Sequence, residues 1–302
     1  AGGAPQGDPK HLPPAKPPVT TNEWQGVMNG YGAPDVVIKS SEYTMPAKHQ
    51  DVWYRPTSDI PITEPRWIRM VEIRPSNLKA RKTLHHSVAY QVLSPDNVQA
   101  VNTGIAPGPS SVNADDAVNR RPMIMEWAIG KGYDRYRDDT GKLLMPGEKI
   151  SWDQHIHAVG EEIPTGSELG IWFYPKGQEP KKRSYLVGFT GIDRTKMLDI
   201  PPNSIAHTEG FTVLKENTMI TNFQPHFHLR GKAMEVEAIL PDGNRQLISY
   251  VGNFNFNWMT NYIYADDAAP VFPKGTVIHV KAFYDNTTAN KNNPDPEQWV
   301  GY

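Results

Sequence analysis

RWIRMVEIRP at residues 66–75, LHHSVAYQVL at 84–93 and KISWDQHIHAV at 149–159 decide how this chain folds. Each is a short run rich in β-branched and aromatic residues, with partial apolar–polar alternation, as expected of strands. Outward from them the same texture recurs in DVVIKSSEYTMP (35–46), ELGIWFYP (168–175) and RSYLVGF (183–189). A second series follows in FTVLKENTMITNFQPHFHL (211–229), AMEVEAILPDGNRQLISYV (233–251), NYIYA (261–265) and GTVIHVKAFYD (275–285). PDGN at 241–244 is a hairpin signal, because Gly accepts positive φ cheaply and Asp tolerates a turn. No stretch keeps a helical period, and 28 prolines scattered along the chain oppose helices.

The expected fold is all-β: two antiparallel β-sandwich domains of jelly-roll type behind a Pro/Gly-rich N-terminal linker. Residues 1–34 form the linker, 35–197 the first sandwich and 198–302 the second. KMLDIPPNS interrupts the pattern near 195–203 and marks the junction. The opening AGGAPQGDPKHLPPAKPPVT has too little apolar content to fold alone and reads as a connector following another module.

Lys and Arg number 31 against 33 Asp and Glu, a formal net charge of -2 with no basic cluster. Nucleic acid is therefore not an expected partner. No apolar run approaches the roughly 18 residues of a membrane-spanning helix. With no cysteine in the chain, disulfides, thiolate zinc sites, iron–sulfur clusters and thioether-linked haem are excluded within it. Any metal must be held by His, Met or carboxylate.

Ten histidines are present, and six form three tight sets. His85 and His86 are adjacent, His155 and His157 lie in DQHIHAV, and His226 and His228 lie in PHFHLRGK. Residues two apart on a strand share a face, so each HxH pair has the spacing for two ligands on one ion. The adjacent pair needs a bulge, a twist or a strand end to aim both rings one way. Three such sets without a cysteine point to an imidazole-ligated metal: Cu, Zn, Fe or Ni. His11, His49, His207 and His279 stand alone and read as surface or internally satisfied residues.

In LHHSVAY, in HFHLRGK and in NFNFNWMTNYIY…PKGTVIHVKAFYDNTTANKNNPDP the chain resembles the copper type II, ascorbate-dependent monooxygenases. That family includes peptidylglycine α-hydroxylating and dopamine β-monooxygenases. The resemblance runs from about Asp35 to the last residue and is to the bacterial branch, often joined to a c-type cytochrome module. It implies two copper ions on two sandwiches that face one another across an open, water-filled cleft. His85, His86 and His157 match the electron-supplying site, with His155 as the rival to His157. His226 and His228 match the oxygen-activating, catalytic site. The family's methionine ligand lies beyond the segment that ends here at Tyr302; Met234 and Met259 read as packing residues instead.

The resemblance further implies hydroxylation of a C–H bond in a small-molecule or peptide-like substrate, with O₂ and one-electron donors. The reductant is ascorbate or a c-type haem module outside this chain, since no CxxCH occurs in it. An exported protein, periplasmic or extracellular, is implied as well. Phe254, Phe256, Trp258, Tyr262 and Tyr264 are candidates to line a substrate cleft, with Asn255, Asn257 and Asn261 to orient a polar group. A packed face and a wet face explain the same Asn/Phe alternation. Arg230 and Lys232 are candidates for an anion contact or solvated turn ends. Two further readings stand beside the enzyme: a non-catalytic copper or electron-transfer module, and a metal-free sandwich in a larger assembly.

Overall fold

A computed structural model describes residues 21–97, 121–192, 198–256 and 258–301. Most of the expected linker, His11, Asn257 and part of the 195–203 junction lie outside the described residues. The strands of the N-terminal part begin with β1 (Val36–Lys39), β2 (Tyr43–Met45), β3 (Val52–Tyr54), β4 (Thr57–Asp59), β5 (Arg66–Pro75) and β6 (Leu84–Val92). They continue with β7 (Met123–Ala128), β8 (Tyr133–Arg135), β9 (Thr140–Leu144), β10 (Lys149–Ile156), β11 (Ile163–Thr165), β12 (Ser167–Phe173) and β13 (Lys182–Arg183). A six-stranded sheet, β1-β12-β5-β9-β13 with β8 on β5, faces a five-stranded sheet, β3-β10-β6-β7 with β4 on β10. The β-sandwich reading of the sequence holds here.

Alternation explains which face each strand buries. On β6, Ser87, Ala89 and Gln91 turn inward while His86, Val88 and Tyr90 turn outward. Ala89 shares an apolar cluster with Trp152 of β10 and with Ile68, Ile73, Leu169 and Ile171 from the opposite sheet. Strand β12 is buried on both faces. Its outward Trp172 packs with Met70 under Trp24, which belongs to the segment expected to be linker. The described end of that segment, from Trp24 to Met28, therefore docks on the sandwich. The Glu72 carboxylate accepts the backbone N–H groups of Gln25 and Gly26 at 2.8 and 2.9 Å, fixing the single-turn helix α1 (Gln25–Met28) on the sheet. Its low apolar content concealed this, because one tryptophan supplies most of the anchor.

The C-terminal part holds β14 (Asp199–Ile200), β15 (Ile205–Val213), β16 (Thr218–Met219), β17 (Asn222–Phe223) and β18 (Gly231–Ile239). After these come β19 (Arg245–Val251), β20 (Tyr262–Ile263), β21 (Val271–Phe272), β22 (Val277–Asp285) and β23 (Val300–Gly301). An antiparallel sheet β15-β22-β18-β19 is flanked by the two-stranded ladders β14-β23, β16-β21 and β17-β20. Asp242–Asn244 turn β18 into β19, as PDGN implied, with Gly243 at φ 86°. Two apolar clusters, one around Val236, Phe272 and Ile278 and one around Phe227, Ala282 and Tyr284, contain no residue of the first sandwich.

The chain changes partners earlier than the expected junction. Leu186 is still bridged to Met123, but Phe189 packs on the second set of strands and Thr208 donates to the Gly191 carbonyl. Beyond the histidines, the two parts meet mainly through polar groups. Arg137 donates to the backbone carbonyls of Tyr264, Ala265 and Asp266 at 3.0–3.1 Å, and the Met259 N–H donates to Ile129 at 3.0 Å.

Candidate metal centre

The histidine doublet owes its geometry to a slip in pairing. His86 lies opposite His155, yet the next pair along is Leu84 with Ile156, so β6 carries one residue more than β10 at His85. This is the bulge that the adjacent pair required. It turns His85 to the same end of the sandwich as His86, with ring centroids 5.4 Å apart. His85 is almost wholly buried, at 1% exposure, and Phe256 stacks on its ring at 4.3 Å.

His155 is the best-fixed member. Its ring lies flat on Trp53 of the neighbouring strand at 4.5 Å, and its Nε2 is 2.7 Å from Asp51 Oδ2. With Nε2–H donating to the carboxylate, Nδ1 becomes the acceptor and faces the other histidines. His157 is placed differently. Strand β10 ends at Ile156, and the His157 N–H donates to Thr83 O at 2.9 Å, beyond the regular alternation. Its ring is 6.4 Å from His85, whereas His155 is 5.2 Å away. The favoured third ligand of the first set thus stands off, and its rival comes within reach.

His226 and His228 sit in an extended but unpaired stretch between β17 and β18, not on a strand. The face rule survives even so. Phe227 turns the other way and packs edge-on against Phe254 and Tyr284 at 5.1 and 5.4 Å. A tight turn follows, in which the Gly231 N–H donates to His228 O at 2.9 Å. A Cβ at Gly231 would collide with the Phe227 side chain, so only glycine permits this turn.

The two sets do not face each other across an open cleft. His86 and His226 are 4.9 Å apart ring to ring, and His155 and His228 are 5.3 Å apart. Candidate ligand atoms fall into two groups, His85/His155/His228 and His86/His226/His228, within 4.8 Å of one another in each. Ligands at 2.0–2.1 Å from a tetrahedral ion are about 3.4 Å apart, so small side-chain movements would close either set. His228, the most exposed of the five, belongs to both.

Burial dominates the electrostatics. It drives His85 down to about 3 and His226 to about 4, with the neighbouring imidazoles adding to the effect. His86, His157 and His228 move down for the same leading reason. The rings are therefore neutral at ordinary pH and keep acceptor lone pairs. Both ring nitrogens of His85 and the Nδ1 atoms of His86, His155 and His226 are buried without a hydrogen-bond partner. Orphaned buried polar atoms are costly, and so many in one place fit a bound cation. Glu126 of β7 approaches too, its Oε1 4.0 Å from His226 Nδ1, with burial pushing its carboxyl up to about 7.

Asp51, Trp53 and Glu126 were not identified from sequence. Only Glu126 carried a signal, as an acid inside the apolar run MIMEWA. Of the candidate cleft residues, Phe256 alone stacks on a cluster histidine, while Phe254 and Tyr264 pack into the second set of cores. Trp258 covers Gly130 and Tyr262 is exposed; the Asn261 Oδ1 is buried without a partner, and Asn255 is exposed. Arg230 is engaged with Asn286 and the Asp295 carbonyl, and Lys232 is solvated. Met234 packs in the second cores and Met259 is buried. His279 lies between Glu209 and Glu237 at 3.1 Å each, and His49 and His207 are exposed.

No family model matches the chain, and no curated protein matches it. Among solved structures it is similar to a Bacteroides ovatus chain described as an alpha-L-fucosidase, at 6% identity and TM-score 0.21. The match covers 87% of this chain and 37% of that one. It is also similar to a two-domain protein of unknown function from Bacteroides fragilis, at 10% identity and TM-score 0.16, over 92% and 97% of the two chains. Likenesses this slight carry no argument about fold or activity.

Proposed function

We propose that the chain is the catalytic part of an exported copper-dependent monooxygenase that hydroxylates a C–H bond. The observation that supports this most is the set of five convergent histidines, four of them with unpartnered buried nitrogens, in a chain without cysteine. Such a donor set suits copper, and the sequence resemblance favours copper over zinc, iron or nickel. His85, His86 and His155 would hold one ion, with His157 in reserve, and His226 and His228 would hold the catalytic one.

When bound, copper supplies one-electron transfer and activation of O₂. The overall balance is R–H + O₂ + 2 e⁻ + 2 H⁺ giving R–OH + H₂O, with ascorbate or a separate cytochrome c as electron donor. Burial keeps the nitrogens of His85, His86, His226 and His228 unprotonated, and Asp51 selects the His155 tautomer. Phe256 covers the His85 ring and excludes water from one side. The substrate is a small molecule or a peptide-like group.

Metal analysis and ascorbate-driven oxygen consumption by copper-loaded protein test this reading. Stoichiometric copper, with oxygen uptake lost in His226→Ala, is the expected result. A protein that binds no copper, or an unchanged rate in His226→Ala, would overturn it. The burial of His85 and His155 favours one second reading, a non-catalytic copper-binding or electron-transfer module. Full copper loading without oxygen uptake would select that module.

A further inference from the structure

We infer that a single metal ion clasps the two halves of this protein together, through a mixed ligand set that always includes His228. The inference rests on the proposed metal-binding role of the histidines and concerns how they share an ion. Each candidate group draws on both halves. His85 and His155 come from the first sandwich and His228 from the second set of strands; in the other group His86 is joined by His226 and His228. Neither group can close unless the two halves are held in place.

Apart from the histidines, the halves meet through the Phe256 stack on His85, the Met259 N–H bond to Ile129, Arg137 and Trp258. No apolar cluster among the described residues contains members of both halves. Arg137, only 18% exposed at its side chain, donates to three carbonyls across the boundary, while its ion pair with the 93% exposed Asp266 adds little. Trp258, which covers Gly130, is itself 55% exposed. Without a cation the closed arrangement also keeps five ring nitrogens away from any partner, a cost that separation into water removes. An ion reverses that balance, because metal-binding free energy becomes structural free energy wherever the ligands come from different parts of a fold.

His228 limits the count to one. A neutral imidazole has a single acceptor nitrogen, so His228 serves one of the two groups at a time. The closed form therefore takes one ion, and a second is accommodated only when the halves part and each keeps its own histidines. Metal occupancy thereby sets the spacing of the two halves.

The chain has no cysteine, so Glu179→Cys and Gln246→Cys give a clean pair of spin-label sites, one on each half, both exposed. Inter-label distances are measured by pulsed electron resonance with Zn²⁺ and Cu⁺, which are diamagnetic, while bound metal is counted by mass spectrometry. A broad distribution without metal should narrow to one distance at one equivalent and broaden again as a second binds. In His228→Ala, and in the more conservative His228→Gln should the first misfold, one equivalent should leave the distribution broad. A protein that binds metal tightly with no change in distance would overturn the clasp and leave the proposed metal site standing. Two ions bound in the narrow state would overturn the sharing of His228. Absence of any bound metal would overturn both the clasp and the proposed function.

Discussion

His86 on strand β6 and His226 in the loop before β18 lie 4.9 Å apart with their rings nearly perpendicular, at 86°. They are 140 residues apart in the chain (226 − 86) and come from different halves of the fold. Both rings are neutral and each has its Nδ1 atom buried without a partner, so a metal ion is the partner that would satisfy them.

The first prediction separates two histidines that look equivalent in sequence. His155→Ala should weaken copper binding at least tenfold, whereas His157→Ala should change it less than about threefold. Competition against a chromophoric chelator reads both. Equal losses would show that the end of β10 does not divide their roles.

Asp51→Asn is nearly isosteric yet removes the charge that orients His155 through its 2.7 Å contact. Copper affinity should fall by about 10- to 100-fold, the usual cost of losing such an outer partner. The fold should not change, since Asp51 is half-exposed at the side chain. Unaltered affinity with unaltered circular dichroism would remove Asp51 from the site.

Proton dependence follows from the depressed histidines. Their folded-state values, about 3 for His85 and about 4 for His226, lie below the ordinary 6.5. The unfolded chain therefore takes up protons first, and metal-free stability should be full above about pH 6.5 and fall as the pH drops toward 4. Copper, once bound, should be retained well below pH 6.5, because protons compete poorly for buried rings. Denaturation midpoints and residual copper across pH 4–8 check both statements; copper lost by half near pH 6.5 would contradict the second.

Gly231→Ala should act on the centre from outside it. The added methyl group meets the Phe227 side chain and disturbs the turn that carries His228. A loss of about 1–3 kcal/mol in stability is expected from the overpacking. Copper affinity should fall with it, as read by chelator competition; unchanged affinity and an unchanged denaturation midpoint in Gly231→Ala would remove the turn from the control of His228.

The sequence by itself determined the all-β class, because a two-residue side-chain period and turn residues are local properties of the chain. It also determined the six clustered histidines, the lack of thiolate ligands, and the inward turn of Phe227 between two outward rings. The bulge at His85 was legible as a requirement, since adjacent residues cannot share a face on a regular strand. Tertiary structure alone decided the rest. Only pairing register shows that β10 stops at Ile156, which brings in His155 and leaves His157 aside. Only packing brings Asp51, Trp53 and Glu126 to the cluster from separate strands or loops. Only the docking of the two halves converts two separated sets of histidines into one, because contacts between residues far apart in the chain leave no periodic trace in it.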